Sequence, residues 1–242
     1  MNSRLTLWPR GCWTSESRPR LSAATLLLAL VFAGPVMAQC NAHDDAAVAV
    51  DIQHAPVETV FDTSLDELDR IAREAGKEAH APLMAVYTSA TLFTADIDMH
   101  VSRMASNVFC AGANSVRVRI AVGRRTIHVA RELREKACLQ KAAIEHVEAH
   151  ARIQEQVLAG MESTIAANVK TRLREASANF ESAADADRKL RRAIDDQINA
   201  DLNDADKAKT IITSRDIDSP ESLARLRAAC SDERGNLFNN RI

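Results

Sequence analysis

The stretch from Arg124 to Ser219 contains no proline and a single glycine, Gly160, and it is rich in Ala, Glu, Arg and Lys. Proline and glycine are the residues that disfavour helices most strongly, whereas these four types are good helix formers. The stretch therefore predicts long helices, interrupted near Cys138 and again at about 205–215. A final helix is expected to begin at Ser219, an N-cap residue followed by proline at the first helical position.

The residues before this stretch have the pattern of β-strands. Residues 83–101 are rich in Val, Thr, Tyr and Phe, and residues 116–122 alternate apolar side chains with arginine. Gly123 to Arg125 is expected to turn the chain, after which 126–129 is extended again. Residues 41–60 are expected to be mostly loose. Alternation with a period of two predicts a small antiparallel sheet with one buried face. The predicted fold class is α+β, in which this sheet packs on a helix and an all-helical C-terminal half follows.

The first 38 residues have the composition of a secretory signal peptide. Four arginines precede a short apolar run, and small residues end at Ala38, the expected cleavage site. The apolar run is too short for a membrane span, so none is expected after cleavage, and a periplasmic or secreted location follows. The predicted units are the signal at 1–38, an α+β domain at 39–170, and a helical extension at 171–242 packed on that domain.

The charge of the chain excludes one class of partner. The signal holds four of the 31 basic and one of the 33 acidic residues, so the mature chain has a formal net charge of −5. Both tryptophans, Trp8 and Trp13, also lie in the signal. A mildly acidic chain without a basic patch or aromatic platforms is a poor candidate for nucleic acid. A protein or peptide partner is the remaining expectation.

The mature chain has an even set of four cysteines: Cys40, Cys110, Cys138 and Cys230. An even set in an exported protein predicts two disulfides. Three pairings are open, and we favour Cys110–Cys138 together with Cys40–Cys230, which would tie the mature N-terminus to the last helix. The alternative is that these cysteines are free buried thiols.

Two histidines four residues apart, His146 and His150, are the main candidate site residues. On a helix this spacing puts both imidazoles on one face, which is how a zincin metallopeptidase presents two nitrogens to Zn²⁺. At 100° per residue both histidines share a stripe with Ile153 and Val157, so they are expected on the buried face. Such a site also needs a Glu directly after the first His to take the proton of metal-bound water, and Val147 occupies that position.

The wider pattern resembles a family of exported bacterial zincin-like proteins, a family of unknown function predicted to be zinc-dependent proteases. The resembling residues are His128–Glu132, which are expected to be extended, Cys138, and the paired-histidine helix expected over Ile144–Ile153. The order of sheet, cysteine and histidine helix is what carries the resemblance, and it covers roughly residues 55–170.

The resemblance implies that residues 39–170 form a zincin-like domain in which His146 and His150 are zinc ligands. The family's catalytic Glu corresponds to Val147 and is missing. The expected function is therefore that of an exported zincin-like protein that binds zinc through the HxxxH helix and is a non-catalytic or weak metallopeptidase relative.

A second hypothesis needs no metal. The chain is then a non-enzymatic helical protein of the periplasm or envelope that acts through protein–protein contacts, and the two histidines are core residues. Apolar residues at three- and four-residue steps over 173–198 predict either a helical hairpin or a short coiled coil with a partner.

Other candidate residues have simpler interpretations. Asp96, Asp98 and His100 share one strand face, which is typical of a solvated face as well as of a metal cluster. Residues 201–206 resemble a calcium-binding loop but lack its Gly and its final Glu. Three downstream acids are candidates for a third zinc ligand, with a solvated helix surface as the alternative: Glu175, Glu181 and Asp185.

Overall fold

A long β-hairpin forms the frame of the sheet. The computed structural model describes residues 46–74, 83–105, 108–176, 179–228 and 230–234. Strands β3 (Ala85–Ala105) and β4 (Val108–Ala130) pair antiparallel along their whole length. The other edge of β4 pairs with three shorter strands, which follow one another along it: β5 (Asn179–Phe180), β1 (Ala47–His54) and β2 (Glu58–Thr63).

The sheet is mixed, so the predicted antiparallel sheet is wrong in that respect. β1 and β2 lie on the edge of β4 that β3 leaves free, and both run parallel to β4. α1 (Leu65–Glu74) follows β2, and β3, the next strand in the chain, lies on the opposite edge of β4. β1 falls within the segment that was expected to be loose, although Val48, Val50 and Ile52 alternate there as strand residues do. The α+β class is confirmed.

β4 does not turn at Gly123–Arg125 as the sequence predicted, because a β-bulge absorbs the extra residue. Arg124 and Arg125 together lie opposite Ser89 of β3, and Arg124 has a positive φ of 48°. Over Val116–Val122, just before the bulge, the even-numbered residues of β4 are buried, and over Arg125–Val129 the odd-numbered ones are. The bulge therefore keeps the apolar side chains of both halves on the same face of the sheet.

Two long helices cover that face. α2 (Ala137–Ala176) follows a short 3-10 turn at Arg131–Leu133, and α3 (Ala183–Asp216) returns antiparallel to α2. Asn168 of α2 donates to Oδ1 of the buried Asp201 of α3 at 2.8 Å, which marks where the two helices are in contact. α3 packs against α2 as a helical hairpin, as predicted, but the segment 173–198 is not one helix, because only its first four residues belong to α2 and residues 183–198 belong to α3.

One predicted interruption of the helices is confirmed and the other is wrong. α2 begins at Ala137, next to Cys138, but α3 continues unbroken through 205–215. The actual interruption lies between residues 176 and 183. There Ser182 accepts a hydrogen bond from the backbone N–H of Asp185 at 3.1 Å, and this cap starts α3.

The C-terminal helix begins where the sequence predicted. In α4 (Pro220–Ala228), Oγ of Ser219 accepts a hydrogen bond from the backbone N–H of Ser222 at 3.2 Å. A single helical turn, α5 (Ser231–Arg234), follows. None of the helices in the described ranges is long and apolar enough to cross a membrane.

Two main apolar clusters lie between the sheet and the helices, and α2 contributes to both. Near its start, Leu139, Ala143 and Val147 pack with Ile127 and Val129 of β4. Further along, α2 and α3 together cover the first half of β4, and the buried residues there are Val116, Val118, Ile120, Ile165, Val169, Leu190, Ile194 and Ile198. α2 continues without a break through residue 170, where the domain boundary was predicted.

Both favoured disulfide pairings are wrong, because Cys138 is bonded to Cys230 with a Cα–Cα distance of 5.7 Å. Cys110 lies near the start of β4 and Cys138 lies beyond its end. At about 3.3 Å per strand residue, the length of β4 keeps those two apart. Cys110 is also disulfide-bonded. Cys40 and the predicted signal peptide lie outside the described residues.

Candidate metal centre

Three side chains converge beside the third and fourth turns of α2. Nε2 of His146 and Nε2 of His150 lie 3.4 Å apart. One carboxylate oxygen, Oδ1 of Asp218, lies 3.3 Å from the first nitrogen and 3.1 Å from the second. In the part of the chain that the structure describes, this is the cluster of His, Cys, Asp and Glu side chains whose geometry could hold a metal ion.

The local sequence explains how each donor reaches this point. The i,i+4 spacing puts the two imidazoles edge to face on one side of α2, with ring centroids 5.1 Å apart. α3 ends when the backbone N–H groups of Ile217 and Asp218 both bond to the carbonyl of Thr213, at 3.0 and 2.8 Å. Asp218 then precedes Ser219, the cap of α4. Its carboxylate is thus presented from a turn that is fixed by a helix on either side.

The distances within the cluster are close to those of one face of a tetrahedron. Zn²⁺ binds nitrogen and oxygen ligands at about 2.0–2.2 Å, which places the corners of its tetrahedron roughly 3.3–3.6 Å apart. The three measured separations of 3.1, 3.3 and 3.4 Å are near this range. An ion of this size would sit just above the plane of the three atoms, and little movement of the ligands would be needed.

The site is electrostatically suited to a cation. The side chains of His146 and His150 are 20% and 16% exposed, and that of Asp218 is 39% exposed. Burial by itself raises the pKa of the Asp218 carboxyl, but the hydrogen bonds with His146 and with His150 outweigh it and hold the pKa well below its usual range. Asp218 is therefore an anion at neutral pH.

The buried face of α2 is centred on Val147 rather than on the histidines. Val147 is 4% exposed and packs in the same cluster as Leu139 and Ala143, at successive i,i+4 positions. Both histidines lie on one side of this stripe and are partly buried, so the expectation that they lie on the buried face holds only in part. Position 147, where a zincin has its catalytic Glu, is therefore part of the apolar core in this fold.

The glutamates nearest to the histidines in sequence do not join the cluster. Glu145 and Glu148 are exposed, and Glu145 lies 3.8 Å from Lys141 on its own helix. Asp218 was missed by sequence reasoning, because no spacing rule links it to a histidine 68 residues away. Its only local signal is its place between a long helix and a Ser-Pro helix start.

The acids that the sequence offered as a third ligand lie elsewhere. Glu175 pairs with Arg172 at 3.1 Å on the same helix. Asp185 pairs with Arg188 and Lys189 in the first turn of α3. Glu181 is exposed between the two helices. These contacts are those of helix surfaces and caps.

The remaining candidates also have structural roles. Asp96 forms an ion pair with Arg119 on the neighbouring strand. The side chain of Asn114 bridges the other two: its Oδ1 accepts from Nδ1 of His100 at 3.1 Å, and its amide N–H donates to Asp98 at 3.2 Å. Residues 201–206 belong to the continuous helix α3 and not to a loop. The structure therefore brings His146 and His150 together with one residue that the sequence did not predict.

Comparison with known proteins does not assign the chain to a family: no family model, no curated protein and no solved structure matches it significantly.

Proposed function

We propose that this protein is an exported Zn²⁺-binding protein whose metal is held by His146, His150 and Asp218. The observation that carries the proposal is the triangle of donor atoms with sides of 3.1, 3.3 and 3.4 Å. Two imidazoles and one carboxylate are a common protein ligand set for zinc, and three protein ligands leave a fourth position for water or for a group from a partner. The resemblance to zincin-like proteins, which rests on the sequence alone, agrees with this ligand set.

The donor set favours a borderline metal such as zinc over calcium or magnesium. Ca²⁺ takes six to eight oxygen ligands and Mg²⁺ keeps several waters in an octahedron, whereas imidazole nitrogen suits later transition metals and zinc. Asp218 adds one negative charge to two neutral rings. The carboxylate is already ionised at neutral pH, which is the form that binds a metal ion.

The proposed role is binding without proteolysis at this site. A metal-bound water needs a nearby base to accept its proton during hydrolysis. Val147 faces the apolar cluster with Leu139, and Glu145 and Glu148 are exposed and outside the donor triangle. Export is supported by the Cys138–Cys230 disulfide, because such bonds persist in oxidising compartments.

Metal analysis of the mature chain, residues 39–242, tests the proposal. After removal of metals with a chelator and dialysis against Zn²⁺, we expect one equivalent of zinc by mass spectrometry. His146→Ala, His150→Ala and Asp218→Asn each remove one ligand. Loss of groups that only support a ligand costs about 10–100-fold in affinity, so loss of a ligand is expected to cost at least about 100-fold. Competition with a chromophoric chelator measures this.

Two matched variants control for charge near the site. Glu145→Gln removes the carboxylate next to His146, and Asp216→Asn removes one that lies two residues before Asp218 and pairs with Arg215. Both should bind zinc as the wild type does. If the wild type binds no zinc, the proposal is wrong, and the cluster is then a hydrogen-bonded contact that holds the α3–α4 turn on α2. This would support the non-enzymatic helical protein instead.

A further inference from the structure

Asp218, the third ligand of the proposed zinc site, begins a segment whose far end is joined to α2 by a disulfide. His146 and His150 lie on α2 itself, whereas Asp218 lies in the turn before α4. Beyond α4 the chain reaches Cys230, and the sulfur of Cys230 is bonded to Cys138 in the first turn of α2. The short helix α4 therefore has one end at the histidines and the other end at the disulfide.

Three hydrogen bonds accompany the Cys138–Cys230 disulfide. The carboxylate of Glu233 accepts from the backbone N–H groups of Cys138 at 3.3 Å and Leu139 at 3.1 Å, which caps the start of α2. Lys136 donates through Nζ to the carbonyl of Glu233 at 2.8 Å. These polar contacts depend on the position that the disulfide gives to the end of the chain, so its loss would weaken them as well.

The dimensions of the two helices match this arrangement. The rise of about 1.5 Å per residue puts Cys138 roughly 12 Å from His146 along α2, and the same rise makes α4 about 13–14 Å long. α4 thus spans the distance between the disulfide and the histidines, with the opposite direction to α2. A displacement of one end of such a short, stiff helix is transmitted to the other end.

We infer that the Cys138–Cys230 disulfide sets the affinity of the zinc site by holding Asp218 beside His146 and His150. This inference rests on the proposed zinc binding and names its regulation. With the disulfide intact, the carboxylate is already positioned, and binding does not have to order the α3–α4 turn. When the disulfide is reduced, the end of α4 is released, and ordering that turn becomes part of the cost of binding zinc.

The redox step is a thiol–disulfide exchange with a dithiol reductant. A thiolate of the reductant attacks one sulfur of the bond, and the exposed Cys138 is the accessible partner while Cys230 is 4% exposed. The second thiol of the reductant resolves the mixed disulfide. Two electrons and two protons pass to the protein, which then carries two thiols, and the reductant becomes a disulfide. By linkage, zinc must in turn stabilise the Cys138–Cys230 bond against reduction.

The first test compares zinc affinity in the wild type and in Cys138→Ser/Cys230→Ser, which lacks the bond without creating thiols that would bind metal. We expect the variant to bind zinc about tenfold more weakly, a difference of about 1.4 kcal/mol. Asp218→Asn in both backgrounds is the control. Once Asp218 cannot bind, removal of the disulfide should change the affinity of the remaining histidines by less than about twofold, because the tether no longer holds a ligand.

The second test uses the wild-type chain and does not depend on the folding of the double variant. Reduction of Cys138–Cys230 by a phosphine is followed by alkylation and peptide mass spectrometry, with and without saturating Zn²⁺. Zinc should slow reduction in the wild type and have no effect in Asp218→Asn.

The outcomes separate the two proposals. Absence of zinc binding in the wild type overturns the proposed function itself. Zinc binding that is equally tight with and without the disulfide, together with a reduction rate that zinc leaves unchanged, overturns the coupling and leaves the zinc site standing.

Discussion

At the scale of single residues, neighbouring positions on α2 have opposite roles. His146 and His150 lie at the edge of the buried face, where their nitrogens meet Asp218. Val147 lies in its centre, among apolar side chains. The two roles follow from one angle, since successive residues on a helix are rotated by about 100°. A Glu at position 147 would therefore enter the core and not the space beside the donor atoms.

Val147→Glu is expected to lower the free energy of unfolding and to create no peptidase. The carboxylate would be buried in an apolar cluster, which costs about 3 kcal/mol or more when no partner is present. Urea unfolding at pH 7 measures the loss. Glu148→Gln, one residue further and exposed, is the matched control and should change stability by less than about 0.5 kcal/mol. A Val147→Glu variant that is as stable as the wild type and cleaves peptides would show that position 147 faces the metal.

At the scale of secondary-structure elements, the bulge in β4 decides which side chains face the helices. The apolar residues of β4 change from even to odd numbering between Val122 and Ile127. A regular strand would place one half of them in solvent. Arg124 takes up the extra length with its positive φ, and Arg125 turns inward, where it is 5% exposed and donates to the hydroxyl of Tyr87 at 3.0 Å.

Replacement of Arg124 by glycine tests this account of the bulge. A left-handed conformation costs a residue with a Cβ about 1–2 kcal/mol, and glycine avoids that cost while losing about 0.5–1 kcal/mol of chain entropy. Arg124→Gly should therefore be as stable as the wild type or slightly more stable in urea unfolding. Arg117→Gly, at an exposed position in the regular part of β4, should lose about 1 kcal/mol. Equal losses in the two variants would contradict the positive φ.

At the scale of the whole molecule, α2 and α3 belong to one core with the sheet. Leu190, Ile194 and Ile198 of α3 are fully buried against the cluster that contains Val116 and Val118 of β4. All described residues fall within one compact unit. The helical half is therefore needed to cover the sheet, and Asp218 reaches the histidines because α3 is held in this position.

Truncation of the fragment 39–242 after residue 182 is expected to abolish stable folding. The fragment loses the three large side chains of α3 that cover β4, each of which contributes about 1.5–3 kcal/mol on burial. Their sum is comparable with the total stability of a domain, about 5–15 kcal/mol. Circular dichroism should show a cooperative thermal transition for residues 39–242 and none for residues 39–182. A cooperative transition in the fragment would establish an independent N-terminal domain.

Much of the local structure could be predicted from the sequence, because its causes are local. The absence of proline predicts the long helices, and Ser219-Pro220 predicts the start of α4. The i,i+4 spacing predicts that His146 and His150 share a face. The sequence does not distinguish the bulge from a turn. In both cases the apolar residues change from even to odd numbering, whether the chain reverses or continues in the same direction.

The long helices, the alternation in β3 and β4 and the shared face of the two histidines can be predicted from the sequence, since each depends on residues within a few positions of one another. The direction of β1 and β2, the Cys138–Cys230 bond and the presence of Asp218 beside the histidines depend on the tertiary structure. These features join residues that are far apart in the chain. Their positions depend on how the elements pack, because a carboxylate can complete the site only where the end of α3 meets the side of α2.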